Sequence, residues 1–178
     1  MNEGITRRRF LRQSAFGVVA LSAARVIPVF ASSPLLSPEI ENRLQFFSAD
    51  EYLIMKAVSD RLIGTSSDGG PSPEQAGAAL RADKFLAGSD PEIQGQFHQL
   101  LTVFNAPFFT FLFDFRFSSF VNMKPQDQDS YLEDSMTSII GFRRTGFQAL
   151  KRTSMSMFYT NEQTWKEIGF AGMDTPRN

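Results

Sequence analysis

The sequence predicts an all-α protein: one irregular domain of about six helices around a phenylalanine-rich core, preceded by a signal segment. Three observations carry this expectation. Helix-start chemistry recurs at Ser48, Ser72 and Ser89-Asp90, apolar residues follow each start at three- and four-residue spacing, and no second alternating run is present to pair as a sheet. The expected divisions are a signal segment over 1–31, a linker over 32–45, the helical domain over 46–172 and a tail over 173–178.

Thr6-Arg7-Arg8-Arg9-Phe10-Leu11-Arg12 has the register of a twin-arginine export signal. Arg7 and Arg8 form the pair, Phe10 and Leu11 supply the apolar step, and Arg12 closes the motif. The uncharged run Gln13–Ala24 behind it is 12 residues long, and a bilayer span takes about 20. A basic start followed by a short apolar run is a targeting segment and is set aside from the fold. Small residues allow cleavage after Ala24 or Ala31, and the later site is preferred. Ser32–Pro38 then reads as an exposed, extended connection.

Ser48 and Glu51 make a capping box, with Phe47 placed to staple onto Tyr52. The helix should run from about Ala49 to Ile63, burying Tyr52, Met55, Val58, Ser59 and Leu62, and stop at Gly64. Ser72-Pro73-Glu74-Gln75 repeats the start and predicts a second helix to Ala87, ended by Gly88. A third opens at Ser89-Asp90-Pro91-Glu92 and places Ile93, Phe97, Leu100, Leu101 and Phe104 on one side. Phe104–Phe120 is partly strand-like in its alternation, yet its rings also fall on two helical faces, and a helix restarted at Pro107 is the reading adopted.

Lys124–Asp129 reads as a polar turn before a short helix, Tyr131–Thr137. A longer helix from about Ser138 should carry Ile139, Phe142, Gly146, Phe147, Leu150, Met157 and Phe158. Thr160 and Gln163 should cap a last turn holding Trp165 and Ile168 and ending at Gly169.

The chain has 19 phenylalanines, one tryptophan, one histidine and no cysteine. Burying a phenylalanine contributes roughly 1.5–3 kcal/mol, so these rings belong in a core or a covered interface. The absence of cysteine excludes iron–sulfur clusters, thiolate zinc, covalent haem attachment and disulfides. No GxGxxG, GxxxxGK[ST] or GxSxG stands in the sequence. Residues 1–31 hold five arginines against one acid, leaving 13 basic and 18 acidic residues, a charge of −5, for the remainder. That balance speaks against nucleic acid as a partner. Because the twin-arginine route carries folded proteins, commonly with a cofactor in place, the cofactor is expected in a partner and none in this chain.

Phe46-Phe47-Ser48-Ala49-Asp50-Glu51 opening a helix that closes on Asp60-Arg61-Leu62-Ile63, a second helix after a Pro/Ser/Gly loop, and the closing run Phe158-Tyr159-Thr160 to Trp165-Lys166-Glu167-Ile168-Gly169-Phe170-Ala171-Gly172 together resemble the gluconate 2-dehydrogenase subunit 3 family. The likeness covers Gln45–Gly172; Gly64 stands where the pattern carries proline, and phenylalanine replaces much of its leucine. The resemblance implies a non-catalytic small subunit of a periplasmic, membrane-associated sugar or alcohol dehydrogenase. Its large partner is a glucose-methanol-choline type flavoprotein holding FAD, often joined by a third subunit with haem c, a cytochrome c. The small subunit supplies the signal read by the twin-arginine translocase and stabilises the large one.

Candidate interface anchors are Phe158, Tyr159, Trp165 and Phe170, with Phe115 and Phe117 behind them, since aromatic side chains dominate interface energetics. Ordinary core is the competing account of each. A different function class rests on His98 as a general base with Asp90, Glu92 or Asp114 beside it, and another on an aromatic-lined pocket for a small molecule. Asp127-Gln128-Asp129 starts like a calcium loop, but Leu132 and Ser138 stand where glycine and glutamate are required, so a solvated turn is expected.

Overall fold

The computed structural model describes residues 36–64, 69–107, 118–166 and 168–170. The export motif with Arg7, Arg8, Phe10 and Leu11, the mid-chain Phe115 and Phe117, and the tail lie outside the described residues. Six α-helices are described: α1 (Pro38–Glu41), α2 (Ala49–Ile63), α3 (Ala78–Ala87), α4 (Pro91–Asn105), α5 (Pro125–Thr137) and α6 (Gly141–Tyr159). Two 3-10 turns, Phe120–Asn122 and Glu162–Thr164, complete the set, and no strand occurs among the described residues.

Part of the stretch expected to be linker is docked. α1 has proline in its first turn, and Leu36, Ile40 and Leu44, four residues apart, pack against the main core. Burying that apolar row offsets the entropy of ordering a short segment.

α2 matches its expected limits. The Ser48 hydroxyl accepts from the Glu51 amide at 3.3 Å, and the Ser48 amide donates to Glu51 Oε2 at 2.9 Å. At the other end Gly64 has φ 73°, a conformation that penalises any Cβ. α2 buries Tyr52, Ile54, Met55, Val58 and Ser59. It runs beside α6, where Ser59 and Ser154 are both buried and their hydroxyls are 3.1 Å apart.

The second helix starts later than expected. The Ser72/Gln75 box does form, with the Ser72 amide donating to Gln75 Oε1 at 2.8 Å, but it encloses a single turn. Gly77, at φ 68°, ends that turn: its amide donates to Glu74 O, and the Ala78 amide reaches back to Pro73 O. This is the Schellman closure normally found at a helix end, and α3 begins anew at Ala78.

α4 opens on Asp90, whose carboxylate accepts from the Glu92 amide, and buries Phe97, Leu101 and Phe104. Ile93, expected inside, is exposed. Helical spacing assigns it to a face but does not say how far along the helix the core extends.

α5 contradicts the expected polar turn. Pro125 stands in its first turn, where a missing N–H costs nothing. Gln128, far from solvated, is buried and donates to Phe120 O at 3.0 Å; Asp129 accepts from Nε and Nη2 of Arg61 at 2.7 Å each, joining α5 to α2. Tyr131 donates its hydroxyl to Phe104 O, and the rings of Phe104, Phe120 and Tyr131 lie 4.9–5.6 Å apart in the core.

α6 begins at Gly141 rather than Ser138. Ile139 is 97% exposed and Phe142 is exposed as well, so the buried face starts only at Gly146 and Phe147 and continues through Leu150, Ser154 and Phe158. Gly146 admits α4 closely: a methyl there would lie 2.6 Å from Leu100 Cδ1.

Candidate partner-facing surface

The chain leaves α6 through a closely bonded cap. Asn161 accepts from the Gln163 amide and donates its side-chain amide to Ala76 O at 3.0 Å, tying the cap to the Ser72–Gly77 turn. The Thr164 hydroxyl, fully buried, donates to Asn161 O at 2.7 Å. Asn161, rather than the expected Thr160, is the capping residue; Thr160 ends α6. Trp165 then folds back, donating its indole N–H to Tyr159 O at 3.0 Å, one of the carbonyls a helix end leaves without an intrahelical partner. Gly169, at φ 67°, closes the last turn, with Phe170 N bonded to Trp165 O and Gly169 N to Lys166 O. The Trp165 and Phe170 rings meet edge to face at 5.0 Å.

Four aromatic residues singled out above therefore gather here, but unequally. Phe158 is 2% exposed and packs with Ala76, Ala78 and Ile63, so its ring belongs to a small core under the cap. Tyr159, its neighbour, is 39% exposed, Phe170 is 43% exposed and Trp165 is half-buried. Ile168, three residues after Trp165 in the sequence, is exposed as well.

His98 has company other than Asp90 or Glu92. Its Nδ1 lies 2.6 Å from Glu51 Oε1 and its ring stacks on Phe46 at 4.2 Å. Glu51 is the carboxylate of the α2 capping box, so this pair braces the start of α2 against α4. Asp90 caps α4, Glu92 accepts from Gln96, and Asp114 lies outside the described residues. Behind Phe46 is a residue that no local pattern marked. Asp83, on α3 and 1% exposed, accepts from the amides of Gln45, Phe46 and Phe47 at 2.7–3.0 Å.

A small polar cleft between α2 and the Ser72–Gly77 turn holds Lys56 between Asp60 at 2.9 Å and Glu74 at 3.3 Å. Burial works against the Lys56 ammonium, but the two carboxylates outweigh it and its pKa is raised; burial also raises that of Tyr52. Among the described residues no group of three or more His, Asp or Glu could hold a metal ion, and no helix is long and apolar enough to cross a membrane.

What the arrangement offers chemically is a presented surface: apolar rings kept in contact with water by a hydrogen-bonded frame. Residues 49–172 match the sequence profile of gluconate 2-dehydrogenase subunit 3. The chain belongs to that family. The match runs from the first residue of α2 to just past the cap and leaves out α1. No curated protein and no solved structure matches the chain.

Proposed function

We propose that this member of the family is the non-catalytic small subunit of a periplasmic, membrane-associated, FAD-dependent sugar or alcohol dehydrogenase. In this reading the Arg7-Arg8 signal takes the assembled complex through the twin-arginine translocase. The helical domain holds the large glucose-methanol-choline type flavoprotein, FAD resides in that partner, and a cytochrome c subunit receives the electrons.

The observation that carries the reading is the cap itself. Tyr159, Ile168 and Phe170 are apolar and exposed, yet the backbone under them is held by specific bonds rather than left to fray. An exposed apolar patch on an ordered frame is the signature of a surface meant to be covered.

The test is a pull-down of the tagged full-length chain from its own periplasm, with an absorbance scan and mass spectrometry of what accompanies it. A stoichiometric large partner with a flavin spectrum is the expected result; a colourless protein recovered alone would sink the reading. His98→Ala separates it from a stand-alone enzyme, because a brace at the start of α2 should leave turnover by the purified complex unchanged.

A further inference from the structure

The charges of α5 and α6 are segregated. α5 carries Asp127, Asp129, Glu133 and Asp134 with no lysine or arginine, whereas α6 carries Arg143, Arg144, Lys151 and Arg152 with no acid. The two helices pack against each other, yet the ion pairs of the described residues involve Lys56, Arg61 and His98, and Arg144, Lys151 and Arg152 are in none of them. Arg144 makes one local bond, to Ser138 O at 2.7 Å. Arg143 and Arg144 also stand in the opening turns of α6, the end at which the helix dipole favours acids over bases. Helix stability by itself would select against this arrangement.

On the helix, Arg144, Gln148, Arg152, Met155 and Tyr159 fall within one face at four- and three-residue steps, with Lys151 at its edge. The buried row Phe147, Leu150, Ser154 and Phe158 lies about a third of a turn away, and on this face Arg144, Arg152 and Tyr159 are exposed while Gln148, Lys151 and Met155 are half-buried. It ends at Tyr159, whose carbonyl receives the Trp165 indole, and is therefore continuous with the aromatic cap. Arginine, tyrosine and tryptophan are the residue types that anchor interfaces, and Arg144 and Arg152 stand on this face outside the ion pairs of the described residues.

We infer that the outer face of α6, from Arg144 to Tyr159, docks an acidic protein surface, that of the flavoprotein partner; this rests on the subunit reading above. Three cations fall short of the clusters of about four to eight that hold anionic lipid, and the domain around them is acidic, which favours a protein surface over a membrane. Charge complementarity would steer the partners and set their register, while the cap supplies the apolar area.

The experiment compares the full-length wild-type chain with Arg144→Glu/Lys151→Glu/Arg152→Glu in binding the co-purifying flavoprotein, at low and high salt. Helix content and urea midpoint serve as the folding check. The expected result is a loss of affinity of about tenfold or more, with wild-type affinity itself falling as salt rises. The milder Lys151→Gln/Arg152→Gln should lie between, and keeps the test decisive if the triple variant folds poorly. Glu133→Lys/Asp134→Lys, on the acidic helix, should not weaken binding.

Unchanged affinity in a folded triple variant overturns the inference and leaves the subunit reading standing. A wild-type chain that retains no flavoprotein overturns both. Variants that keep the flavoprotein but lose binding to phosphatidylglycerol vesicles would reassign the face to the membrane and overturn the inference as well.

Discussion

Two regions of this domain spend hydrogen bonds on aromatic residues in opposite ways. Around Asp83, three backbone amides converge on one buried carboxylate, and the result is that Phe47 goes inside while Phe46 covers His98. At the C-terminal cap, Asn161, Thr164 and the Trp165 indole fix the backbone just as firmly, yet Tyr159, Ile168 and Phe170 stay in water. The first frame is completed by its own core. The second leaves its side chains exposed, and its hydrogen bonds order the backbone without burying the rings.

The sharpest way to break that contrast is within the cap. Phe158→Ala removes a buried ring and should cost about 3–5 kcal/mol by urea denaturation, a loss matching any core phenylalanine. Were the cost near zero, Phe158 would have to be counted with the exposed set.

At the other region Asp83→Ala leaves three amides without their acceptor, two of them only part-buried, and should cost about 3 kcal/mol, measured by the same denaturation. A loss below about 1 kcal/mol would show that water replaces the carboxylate and that the region is looser than its geometry.

Trp165→Ala removes the indole bond to Tyr159 O and the ring contact with Phe170, and should cost about 1 kcal/mol of stability and, on the proposed reading, reduce retention of the flavoprotein partner. Phe170→Ala should change stability by less than about 0.5 kcal/mol, since Phe170 is 43% exposed, yet on the proposed reading should still weaken retention of the partner. If Phe170→Ala instead destabilised the free chain as Phe158→Ala does, the cap would be core and the contrast would fail.

The smallest effect is a shared background. Lys56 and Tyr52 both have raised pKa values, so each contributes stability that is present below its ordinary value, 10.5 and 10.0, and is lost as pH rises through the raised one. The urea midpoint should therefore hold from neutral pH and decline in the alkaline range, and Lys56→Met should flatten the lysine's share of that decline.

Much of the helix layout was legible because its causes are local. A hydroxyl three residues before a carboxylate starts α2, and a glycine at positive φ ends it, with no need of distant residues. Where the expectation failed, a second local signal competed. Gly77 interrupts the helix that Ser72 and Gln75 begin, and Pro125 opens α5 inside what looked like a polar turn. The surface was less legible: Ile139, Phe142 and Ile93 share the spacing of buried residues but lie beyond the reach of the core.

The sequence by itself determined the all-helical class, the capping chemistry, the family and the gathering of aromatic residues near the end of the chain, because each depends on residues within a few positions of one another. Only the tertiary structure decided that Asp83 holds residues 37 or so positions away, that Glu51 faces His98, and that Phe158 points inward while Tyr159 points out. Those outcomes depend on which helices meet and at what height. Adjacent residues on a helix point about 100° apart, so a single position separates a core ring from one left exposed.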